Sequence, residues 1–79
     1  MIERIIEESV GPEWRYVPGW VPAEHVSRDA WQAIAEDVIG RLRLLTGRAA
    51  FGVGEAELSV LYHRPVGDFA RLVLERLGV

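Results

Sequence analysis

Val26-Ser27-Arg28-Asp29-Ala30-Trp31-Gln32-Ala33-Ile34-Ala35-Glu36-Asp37-Val38-Ile39-Gly40-Arg41-Leu42-Arg43-Leu44-Leu45-Thr46-Gly47 carries the strongest periodic signal in this chain of 79 residues. Trp31, Ile34, Ala35, Val38, Leu42 and Leu45 recur at intervals of three and four, which lays one apolar stripe along a helix. Ser27 is a good N-cap, because its hydroxyl can accept from a first-turn amide. Asp29 lies in that first turn, where the helix dipole favours an anion. Val26 and Trp31 have the spacing of a hydrophobic staple. Gly40 falls inside the pattern and costs about 1 kcal/mol against alanine, which points to a close helix contact there. Gly47 supplies the stop. The spacing predicts a helix over 28–46.

Working outward, Ile2, Ile5 and Ile6 share one face of a short helix over 2–9, closed by Gly11-Pro12. Residues 11–25 read as an extended loop punctuated by Pro12, Pro18 and Pro22. That loop holds Trp14, Tyr16, Val17, Trp20 and Val21, so it must pack on something. It either covers the core of its own chain or offers an aromatic docking surface. Residues 48–54 are a linker. Over 55–62, Leu58, Leu61 and Tyr62 fit a helix, while Leu58, Val60 and Tyr62 fit a strand. The Glu-Ala-Glu-Leu start and the lack of a pairing partner favour the helix, and Pro65 stops it. Asp68 is read as the cap of a last helix. Phe69, Leu72, Val73 and Leu77 face its core side, and Gly78 takes the C′ position. The expected fold is all-α: a small four-helix bundle with a long aromatic and proline-rich first loop, in one domain over 1–79.

The hydrophobic fraction is 49% and the charged fraction 27%, a globular balance that excludes a disordered tail. No cysteine is present, which removes disulfides, zinc ribbons and thiol nucleophiles. No apolar run reaches the ~18 residues of a membrane span, and the opening Met1-Ile2-Glu3-Arg4 does not read as a secretory leader, so a cytoplasmic location is expected. All nine cationic residues are arginine and the net charge is −3. The charge is uneven: residues 1–40 carry eight acids against three arginines, and residues 41–79 four acids against six. The acid excess disfavours indiscriminate binding to nucleic acid.

Catalytic signals are weak throughout. Glu24, His25 and Asp29 offer too few converging ligands for a metal, and read as surface solvation and capping. His63 has no recognisable nucleophile or orienting carboxylate, and reads as a turn residue. Glu36 and Asp37 are adjacent on a helix and point about 100° apart, so their spacing does not make them an acid–base pair. Gly52-Val53-Gly54 lacks the third glycine and lysine of a phosphate loop. No enzyme and no cofactor is expected.

Two resemblances carry function. The stretch Val38-Ile39-Gly40-Arg41-Leu42-Arg43-Leu44-Leu45-Thr46-Gly47 resembles the end of the second helix of acyl and peptidyl carrier proteins. His63-Arg64-Pro65-Val66-Gly67-Asp68-Phe69-Ala70-Arg71-Leu72-Val73 resembles the proline-led entry to a carrier's last helix, and the order of elements agrees. The resemblance implies a recognition role toward a larger enzyme. Carriers attach phosphopantetheine to the serine of an Asp-Ser-Leu at the second helix start. Counting back from Gly47 places Gln32 there, and the serine at the helix start, Ser27, lies upstream between Val26 and Arg28. The implied protein is a carrier shape without its prosthetic-arm serine, Ser27 being the one residue at which attachment is conceivable. Separately, Ala56-Glu57-Leu58-Ser59 through Phe69 and Leu72 resembles a helix-turn-helix, with His63 at the usual turn glycine and Arg64 at the apolar place after it. That resemblance implies a DNA-binding regulator in which Arg64, Arg71 and Arg76 approach phosphates, opposed by Asp68 and Glu75.

The residues favour a module that binds another protein. Trp14, Tyr16 and Trp20 would anchor the contact, and an acidic edge of Glu7, Glu8, Glu13, Glu36 and Asp37 would steer a basic partner. DNA binding is the alternative. An oligomeric structural subunit is the third reading, since so short a chain buries a thin core.

Overall fold

The computed structural model describes residues 1–78. It contains four α-helices: α1, Ile2–Val10; α2, Arg28–Thr46; α3, Glu55–Leu61; and α4, Val66–Leu77. A single 3-10 turn, Pro22–Glu24, interrupts the first loop, and no strand forms among the described residues. Residues 55–61 are therefore helical, and the bundle is all-α as the periodicity predicts.

Helix α2 starts and stops for local reasons. Ser27 Oγ accepts from Ala30 N at 3.1 Å, and Gly47 closes the helix at φ 69°, its N–H donating to Arg43 O at 2.9 Å. A side chain at that left-handed position is strained, so Gly47→Ala should lower stability by about 1 kcal/mol. Urea unfolding checks this, and an unchanged midpoint would contradict it.

The core joins all four helices. Ile2, Ile5 and Ile6 of α1 meet Trp31, Ala35, Val38 and Leu42 of α2; Leu58 of α3 and Phe69, Val73 and Leu77 of α4 complete it. Phe51 of the linker is buried with them. Helix α1 lies mainly along α2 and also touches α4, while α3 touches both α2 and α4. The Trp31 indole N–H donates to Leu58 O at 2.9 Å, and its ring stands edge-on to Phe69 with centroids 5.1 Å apart. The largest apolar residue thus keeps its one polar group paired inside the core.

Three sequence expectations need correction. Asp68 does not cap α4. The helix begins three residues earlier, at Val66 after Pro65, and Asp68 sits in its first turn. Leu45 does not face the core; it is 64% exposed, because the buried stripe ends at Leu42. Gly40 marks no contact within the chain, since a Cβ built on it would meet nothing within 4 Å.

Arginines secure the linker over 48–54. Arg43 Nε donates to Phe51 O at 2.6 Å, Arg48 to Leu77 O, and Arg76 grips the Glu57 carboxylate with two nitrogens. That carboxylate also accepts from Gly54 N at 2.9 Å, closing the start of α3. Arg76 and the Gly54 amide hold the Glu57 carboxyl below its ordinary value. The Asp37 carboxyl is lowered likewise, first by the nearby Ser9 hydroxyl and then by Arg41. Ser9 Oγ is itself buried and makes no hydrogen bond of standard geometry.

Both carboxyls have folded values below their unfolded ones. Their stabilisation is present above the ordinary carboxylate range and is lost as pH falls through the depressed folded values. The thermal midpoint should be flat above about pH 5 and fall below about pH 4, less steeply in high salt because both groups are exposed. Calorimetry across pH tests this, and Glu57→Gln should remove part of the slope.

Candidate functional site

The first loop is not loose. Its backbone seals the start of α4: Trp20 O accepts from Val66 N at 2.7 Å, and Pro18 O accepts from Gly67 N at 3.0 Å. Pro65 precedes the helix and has no N–H, so these two carbonyls satisfy the first amides of α4. Ala23 N donates to Tyr62 O at 2.9 Å, and Tyr62 Oη donates to Val26 O at 2.6 Å. The loop is thereby tied to the turn between α3 and α4.

Its aromatic side chains cover part of the core and keep one side toward solvent. Trp14, Tyr16 and Trp20 are each half-buried and packed against the core. They form one edge-to-face series, Tyr16 to Trp14 at 6.2 Å and Trp14 to Trp20 at 5.1 Å. Trp20 also stacks on His25, with centroids 5.3 Å apart and planes 9° apart. Tyr16 N donates to Glu7 Oε2 at 2.8 Å, which hooks the loop to α1. Burial, and then the Glu3 charge, push the Tyr16 phenol up. Val17 alone of the loop's large apolar side chains is mostly exposed.

Between α1 and this loop lies an open hollow of about 520 Å³. Glu3, Glu7 and Glu8 line it from the helix, and Pro12, Trp14 and Arg15 from the loop. The chain reverses at Gly11, where Trp14 N donates to Gly11 O at 3.3 Å, and this return sets Trp14 opposite the acidic side of α1. Arg4 pairs with Glu8 at 3.7 Å, and Arg15 donates to Pro12 O and Trp14 O. Of the three glutamates, Glu8 is paired with Arg4 and Glu7 holds Tyr16 N through one oxygen, while Glu3 is exposed and makes no ion pair among the described residues. Glu3 was missed in the sequence reading, although its i, i+4 relation to Glu7 puts both on one helix face.

The remaining candidate residues lie elsewhere. Glu36 lines a shallow depression with Ile39, Arg43 and Val53. Asp37 is occupied by Arg41, Nε to Oδ2 at 2.9 Å. Neither lines the hollow beside Trp14. Ser27 is exposed, with its hydroxyl engaged as the cap of α2. Arg64 pairs with Asp68 at 3.0 Å and Arg76 with Glu57, so of the three arginines proposed for phosphates only Arg71 stands exposed without an ion pair among the described residues. His63 lies beside the Tyr62 ring at 5.0 Å. Among the described residues, no group of three or more His, Asp or Glu is placed to hold a metal ion and no helix is long and apolar enough to cross a membrane.

Comparison with known proteins finds no matching family model, no matching curated protein and no matching solved structure.

Proposed function

We propose that this chain is a non-enzymatic, cytoplasmic protein-binding module that takes a basic segment of another protein into the hollow between α1 and the first loop. The observation that carries this reading is the pairing of Trp14 with Glu3 and Glu7 in one concave surface. An arginine or lysine entering there meets Glu3 and Glu7 on the helix side, where Arg4 is paired with Glu8, and the Trp14 indole on the loop side, where Arg15 is turned to the carbonyls of Pro12 and Trp14. A cation over an indole contributes about 0.5–2 kcal/mol, more as it is desolvated, and the acidic side raises the encounter rate. The resemblance of the order of elements to a carrier's favours a larger enzyme as the partner class.

Trp14 is the reporter as well as the anchor. Titration with an arginine-rich peptide should change tryptophan emission, with an affinity that weakens as salt rises. Glu3→Arg should weaken binding at least tenfold while leaving helicity unchanged, because Glu3 is exposed. Trp14→Ala should weaken it by a similar factor. Equal affinity for an acidic peptide of the same length, or indifference to salt, would overturn the reading.

A further inference from the structure

Leu44 is 87% exposed and Leu45 64%, side by side near the end of α2. An open hollow of about 280 Å³ adjoins them, lined by Ile5, Glu8, Arg41, Leu44 and Leu45. We propose that this surface is the interface of a two-fold dimer of the chain, in which Leu44 of each copy seats in the hollow of the other.

The charges around the patch select a second copy as the occupant. Arg41 bonds Glu8 at 3.2 Å and Asp37 at 2.9 Å, and Glu8 also pairs with Arg4. One anion and one cation, Glu8 and Arg41, therefore line the hollow beside the leucines, and each has a further partner of opposite sign. A strongly basic or strongly acidic partner would meet as many like charges as opposite ones. A copy related by a two-fold axis brings Arg41 toward Glu8 twice, so the frame is complementary to itself. Shape agrees with charge, since a protruding leucine and a leucine-lined hollow occupy the same patch. Gly40 lies one turn before Leu44 on α2, and beyond the adjoining backbone of its own helix nothing comes within 4 Å of where its Cβ would be. Intramolecular packing makes no use of this helix-weakening glycine, whereas an approaching second helix would. The surface shares only Glu8 with the hollow proposed to take a basic segment, and neither proposal requires the other.

Two leucines with their charged frame fall short of the ~800 Å² per partner of a standard interface, so the expected dissociation constant is on the order of 100 µM. Sedimentation equilibrium from about 10 µM to about 1 mM should show the mass rising from one chain toward two over that range. Leu44→Glu should remain a monomer throughout with its helical signal intact. Gly40→Ala should raise the thermal midpoint of the dilute chain yet weaken association several-fold. The chain has no cysteine, so Leu44→Cys should cross-link into a dimer under mild oxidation, and Val60→Cys, at a site 63% exposed, should not. If Leu44→Glu loses helicity, the cysteine pair decides. A monomer at every concentration, a dimer undiminished in folded Leu44→Glu, or equal cross-linking at position 60 would each overturn the proposal.

Discussion

Trp31→Ala should strip the chain of a large share of its stability. The Trp31 side chain is 1% exposed, stands against Phe69 and bonds Leu58 O. Replacing a buried tryptophan by alanine costs about 3–5 kcal/mol through lost burial and the cavity left behind. A domain of this length holds roughly 4–12 kcal/mol in total, so one substitution removes a large share of it. Trp31→Phe separates the ring from its N–H. It keeps most of the packing and loses the bond to Leu58 O, which still accepts from Tyr62 N at 3.0 Å. The expected loss is therefore smaller, about 1–2 kcal/mol. Urea unfolding followed by far-UV circular dichroism distinguishes the two. A Trp31→Ala chain within 1 kcal/mol of the parent would mean that this ring does not centre the core.

Gly67→Val should detach the first loop without melting the bundle. A Cβ at Gly67 would stand 3.2 Å from Pro18 O and 3.4 Å from Pro18 Cβ. A single methyl presses on that contact, and the branched valine adds two more groups against the same backbone. The loop has to retreat, which takes Pro18 O and Trp20 O away from the first amides of α4. Overpacking of this kind typically costs about 1–3 kcal/mol. The near-UV dichroism of Trp14 and Trp20 should fall and their emission shift to the red, while the far-UV signal stays near that of the parent. Binding of an arginine-rich peptide should weaken in step, because Trp14 loses its fixed place across from α1. Retention of the near-UV signal would show that the loop accommodates the new side chain by a local shift.

The helices were legible in the sequence where their signals are local. Ser27 and Gly47 bound α2 through contacts with residues three or four positions away, and both ends were read correctly. Helix α3 was legible only as a preference, since seven residues hold too few turns for period to separate helix from strand. Asp68 was misread because its rule considers neighbours alone. The groups that satisfy the start of α4 are carbonyls of residues 18 and 20, and no local pattern announces them. Leu45 fits the stripe by spacing, but burial along α2 ends at Leu42, and where the covering of a helix stops is a property of the assembled bundle. The aromatic loop signalled that it must pack, without saying which side. Trp14, Tyr16 and Trp20 pack against the core of their own chain and stay half-buried. Of the hollow, the sequence named Trp14, Glu7 and Glu8; the return of the chain at Gly11 that brings Glu3 and Trp14 to one hollow emerged only in three dimensions.

The carbonyls of Pro18 and Trp20 on the start of α4 also bear on the order in which the chain assembles. Closing a long loop before its contacts form is entropically unfavourable, so this seal should come late and slow the final step. The amides of Val66 and Gly67 then become clocks for the loop. If the loop lifts by itself, they exchange with deuterium faster than the amides deeper in α4; if they exchange at the rate of the core, loop and bundle open as a single cooperative unit.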